Sequence, residues 1–126
     1  MRKTLIAAIA PLIILGVPLS LQAQTESEER STLEIEYRKL VQLNRAKNLA
    51  RQAAEQANGG LTEYRAEPAM HGPPETTNHE QLAEGVWQFT FQGRRPTAEE
   101  YTLESVVVVN INTGETTVEY NGPIRE

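Results

Sequence analysis

The feature that most constrains this chain is the pair Gly59-Gly60, where the spacing of apolar residues changes period. Upstream, residues 31–57 hold no glycine or proline and are rich in helix formers. Downstream, apolar and polar residues alternate in short runs, as half-buried strands require. A glycine just past the last helical residue supplies the left-handed cap that other residues resist. The chain therefore reads as one long helix followed by strands.

Ser31 opens the helix, because Glu34 three residues on completes a capping box. The preceding residues 24–30, Gln-Thr-Glu-Ser-Glu-Glu-Arg, are polar without periodicity and read as a flexible leader. Inside the helix the apolar residues form two groups. Leu33, Tyr37, Leu40 and Val41 share one face, and Ala46, Leu49, Ala50, Ala53, Ala54 and Ala57 share another. At about 100° per residue the second stripe is turned well over a quarter turn from the first. One helix whose front stretch overhangs the core explains this, and so does a break near Asn44 with Asn as a second cap. The single helix is the simpler reading. It makes Leu33, Tyr37, Leu40 and Val41 an exposed apolar strip, which marks a surface for a partner. The alanine face lets the backbone lie close against a sheet.

Four strands are expected. Residues 61–67 alternate Thr62, Tyr64 and Ala66 against charged neighbours. Residues 86–92 alternate Trp87, Phe89 and Phe91 against Gln88, Thr90 and Gln92, the clearest strand in the chain. Residues 103–111 carry four consecutive valines from position 106, suiting a central strand buried on both faces. Residues 116–120 alternate again, joined to the previous strand by a tight hairpin in which Gly114 takes positive φ. Gly93-Arg94-Arg95-Pro96 reads as a solvated basic turn. Residues 68–85 read as one long loop, a length that usually marks function or mobility.

The amino terminus sets the compartment. Arg2-Lys3 precede an apolar run over residues 5–21, with Ala23 near its exit. This is the pattern of a cleaved signal peptide, residues 1–23, cut after Ala23 into a secreted or periplasmic product. The run nearly reaches the length of a membrane anchor, but Pro11 and Pro18 interrupt it and favour cleavage. A membrane association is expected only if the segment is retained. Removing 23 of the 126 residues leaves 103, enough for one core. The chain contains no cysteine, so packing alone must hold an exported fold, and thiol catalysis is excluded. Its net charge of −5 becomes −7 once the two charges of Arg2 and Lys3 are removed, which disfavours nucleic acid as a partner. All 17 acidic residues are glutamates, with no aspartate for a Ser-His-Asp triad.

Few chemistries survive inspection. With Glu75 and Glu80 near the two histidines, a metal reading takes His71, His79 and Glu80 as ligands, and their spacing fits neither a helical pair nor a finger. They define an alternative reading, a small metal-dependent hydrolase; the preferred reading assigns no metal and no cofactor. Ser27, Ser31 and Ser105 lack a nucleophile elbow. Glu99 and Glu100, as neighbours on an extended chain, point apart and cannot flank one bond. The ridge of Trp87, Phe89 and Phe91 could serve a small-ligand carrier, but its alternation is that of a sheet's inner face packed on Ala50, Ala53 and Ala57.

The order of an alanine-rich helix (Ala50, Ala53, Ala54, Ala57), Gly59-Gly60, strands, and the closing hairpin Val109-Asn110-Ile111-Asn112-Thr113-Gly114-Glu115 resembles the PepSY family over about residues 46–121. Asn110 stands where that family usually has aspartate, and the 68–85 segment is longer than the family needs. The resemblance implies a cystatin-like helix on a sheet, and a role as a propeptide part, an inhibitory module of peptidases or an extracytoplasmic binding domain, with no catalytic set. The expected protein is thus a single α+β domain over residues 31–126, one long helix on a four-stranded antiparallel sheet. It acts without catalysis on an extracytoplasmic protein or peptide through Leu33, Tyr37, Leu40 and Val41.

Overall fold

The computed structural model describes residues 19–126, so the expected signal peptide lies outside the described residues except for its last five positions. Those five are helical, and the bond between Ala23 and Gln24 falls inside helix α1 (Leu19–Ala57). The strands are β1 (Arg65–Ala66), β2 (His79–Ala83), β3 (Val86–Arg94), β4 (Leu103–Asn110) and β5 (Glu115–Pro123). Two short 3-10 turns, Pro68–His71 and Pro74–Thr76, lie between β1 and β2. The architecture is α+β, one long helix on an antiparallel sheet. The chain divides into two compact units, residues 1–37 and 38–126. The described part of the first is the helical stretch 19–37; the rest of α1 and every strand belong to the second.

The helix starts earlier than its capping box predicts. Ser31 lies within α1, and the residues expected as a leader, 24–30, are helical too. Glutamate and glutamine in that stretch are good helix formers, so nothing forces a stop at Ser31. Thr32 does not cap; its hydroxyl donates back to the Glu28 carbonyl at 2.9 Å. The helix also runs through Asn44 without a break. It ends as expected. Gly59 and Gly60 take φ of 95° and 91°, and the Gly60 N–H closes the turn on the Glu55 carbonyl at 2.7 Å.

The sheet order is β1-β3-β4-β5, with β2 pairing the same margin of β3 as β1, and all pairings are antiparallel. β2 is the strand the sequence does not announce, and it brings the count to five. It lies within the segment expected as loop. Its residues are nearly all exposed, so it is held by the backbone ladder to β3 and not by an apolar face. The first expected strand shrinks to Arg65–Ala66, because residues 61–63 form a turn. β3 in contrast runs on through Gly93 and Arg94, and the turn begins at Arg95. The hairpin between β4 and β5 forms as expected, with Gly114 at φ 79° and its N–H on the Asn110 carbonyl.

The core lies between α1 and the sheet. Ala46, Ala50 and Ala54 repeat every fourth residue and join one buried cluster with Trp87, Phe89, Phe91, Val107 and Val109. Residues opposite each other on β3 and β4, Phe89 with Val107 and Trp87 with Val109, fill the same face. Burying each large side chain contributes roughly 1.5–3 kcal/mol before entropy is counted. The alanines leave room for the aromatic rings. On the outer face Val106 is buried and Val108 half-buried, so β4 is covered more fully on the helix side. Tyr64 is wholly buried over Gly93, where an added Cβ would stand 2.1 Å from its ring.

Candidate functional site

The apolar strip and the loop are the two regions that the sequence singles out. All four strip residues lie in α1. In the first unit Leu33 and Tyr37 are 65% and 71% exposed; in the second, Leu40 and Val41 are 40% and 49% exposed. Ile35, outside the strip, is exposed as well. Among the described residues, no side chain of 22–41 is buried. The apolar side chains there are held in helical geometry with no cover.

The loop is more structured than its composition suggests, because α1 grips it. Lys47 is 3% exposed, and its ammonium donates to the Gly72 carbonyl at 2.5 Å. Arg51, one turn on, donates to the Met70 carbonyl at 3.0 Å and pairs with Glu55 at 3.3 Å. Burial, then the neighbouring Arg51 charge, holds the Lys47 amine below its ordinary value. Met70, whose carbonyl takes the second of these bonds, is itself buried in the core. Neither cation stood out in the sequence. The available signal was that Lys47 and Arg51 flank Ala46 and Ala50 on the face that packs.

The two histidines have separate surroundings. His79 opens β2 with its ring against Phe89, and its Nδ1 lies 3.0 Å from both the hydroxyl and the carbonyl oxygen of Thr77. His71 ends the first 3-10 turn. Desolvation and then the Arg51 charge hold its imidazole below the usual range, with Lys47 and Arg65 acting in the same direction and Glu55 opposing. Glu80 is exposed on β2. Among the described residues no group of three or more histidine and glutamate side chains is arranged to hold a metal ion, so His71, His79 and Glu80 are not brought together.

Other candidates are used up by packing. Trp87, Phe89 and Phe91 are at most 5% exposed and form core, leaving no open aromatic face for a carrier. Ser105 is buried and donates to Asn121 at 2.8 Å. Asn121 and Asn58 exchange side-chain hydrogen bonds at 3.0 and 3.1 Å, tying β5 to the end of α1. Glu99 and Glu100 lie in an irregular bend, not on an extended strand, and both are exposed. No helix among the described residues is long and apolar enough to cross a membrane. Compared with protein-family models, curated proteins and solved structures, the chain matches none.

Proposed function

We propose that this protein is an exported, non-catalytic binding or regulatory module that acts by contact with an extracytoplasmic protein or peptide. The observation that carries the reading is the exposure of Leu33, Tyr37, Leu40 and Val41 on helical backbone. Exposed apolar side chains at helical spacing are what a groove or a second helix on a partner recognises. The acidic balance of the chain and the absence of cysteine fit an extracytoplasmic protein contact better than nucleic acid or thiol chemistry. The helix-then-strands order also suits a PepSY-like module, for which peptidase inhibition is the regulatory role to examine first.

The test is capture of partners by the purified chain from the extracytoplasmic fraction of its own cells, comparing wild type with Leu40→Glu. A species retained by wild type and lost by the variant, with circular dichroism unchanged, supports the reading. Equal capture by both, or unfolding of the variant, overturns it, the second because the strip would then be core.

A further inference from the structure

We propose that the groove between β1, the first 3-10 turn and the end of β3 is an oxyanion site, in which Arg65 and Arg94 hold a carboxylate or phosphate group of a ligand. The groove is open, about 550 Å³ in volume, and its lining includes Arg65, His71, Arg94 and Tyr101 between the rigid walls of Pro68 and Pro96. No carboxylate lines it.

Strand pairing sets Arg65 directly opposite Arg94. Like charges facing each other across an antiparallel ladder destabilise it unless an opposite charge intervenes. This chain has 17 glutamates with which to neutralise the pair. Among the described residues the ion pairs are instead Arg51 with Glu55, Arg95 with Glu63 and Arg125 with Glu104. Arg95, next in sequence, is paired, whereas Arg65 and Arg94 are not.

The guanidinium of Arg94 is already fixed in place. Its Nη1 donates to the carbonyls of Ala98, Arg95 and Pro96 at 2.8, 3.2 and 3.2 Å, and the group lies over the Tyr101 ring at 5.7 Å. One edge of the fork is thereby anchored. The other edge, Nε and Nη2, has no acceptor among the described residues. Arg65 is likewise held through one nitrogen, by the Leu61 carbonyl. A planar fork with one edge anchored and one edge free suits two-point binding of an oxyanion. The buried Lys47, held on the Gly72 carbonyl at the groove's lining, adds to the positive field, whereas Arg51 is offset by Glu55. This inference does not depend on the helix strip.

The shared chemistry, two oxygens on one atom sharing negative charge, could come from an acidic peptide group or from a phosphoryl group. Amide NMR titration of the full chain with inorganic phosphate and with acetate, each against sodium chloride at equal ionic strength, distinguishes them. Saturable shifts at Ala66, Gly72, Arg94 and Tyr101 with phosphate alone assign a phosphoryl source; shifts with acetate assign a carboxylate. Arg65→Gln weakens the response about tenfold or more, and Arg95→Gln leaves it unchanged. Should Arg65→Gln not fold, Arg65→Lys keeps the charge but loses the fork, and it weakens binding several-fold. Shifts no different from those of chloride overturn the proposal. So does an Arg65 variant that binds like wild type, or an Arg95→Gln loss as large as that of Arg65→Gln.

Discussion

The two stretches of α1 share a backbone conformation and little else. From residue 43 onward a buried or half-buried side chain recurs on nearly every turn, and Ala46, Ala50 and Ala54 reach complete burial. From 22 to 41 every described side chain is exposed. The later stretch is held by packing. The earlier one buries no side chain among the described residues, and an isolated helix of such length is marginal in water. One helix thus contains a segment that is part of the core and a segment whose apolar side chains face solvent.

The strongest test of this contrast is a charge in the covered stretch. Ala50→Asp places a carboxylate in the buried cluster that also holds Phe89, and urea denaturation should show a loss of at least about 3 kcal/mol. A much smaller loss would mean that the alanine face is not sealed. Next in size is Gly93→Ala. The new methyl would meet the buried Tyr64 ring, and overpacking of this kind costs about 1–3 kcal/mol in the same assay.

Tyr64 itself sharpens the point, because its buried hydroxyl has no hydrogen-bond partner. Burial pushes its phenol up to about 12, aided by the charges of Glu55 and Glu67. A folded-state value above the ordinary 10.0 gives a contribution that is complete below pH 10 and lost as pH rises through about 12. Tyr64→Phe should therefore gain about 1 kcal/mol at neutral pH and lessen the alkaline loss seen by thermal melts. An unchanged alkaline slope would place the sensitivity elsewhere. The smallest effect belongs to the uncovered stretch. Leu40→Glu should alter stability by less than about 0.5 kcal/mol while removing partner capture.

What the sequence made legible was whatever strong local chemistry controls. The alternation of Trp87, Phe89 and Phe91, the valines of β4, the Gly59-Gly60 stop and the turn at Gly114 each appear where expected. β2 was hidden because His79, Glu80, Gln81, Leu82 and Ala83 bury almost nothing, so no periodic signal exists to be read. The early start of α1 was hidden because a capping box only permits a terminus, and Ser31 has helix formers on both sides. The arginine pair was illegible for a topological reason. Arg65 and Arg94 are far apart in sequence and meet only because the short β1 pairs with the last residues of β3. The run Gly93-Arg94-Arg95-Pro96 suggests a solvated turn, whereas Arg94 is the final residue of a strand and is folded over Tyr101.

The margins of the sheet differ as well. One is a single nine-residue strand, β5, whose register with β4 slips between Val106 and Val107; the other is split into pieces of two and five residues, with the 3-10 turns between them and an irregular register in the longer piece. Both margins thus depart from a flat, regular ladder, and irregular margins are poor templates for a further strand, which works against edge-to-edge aggregation.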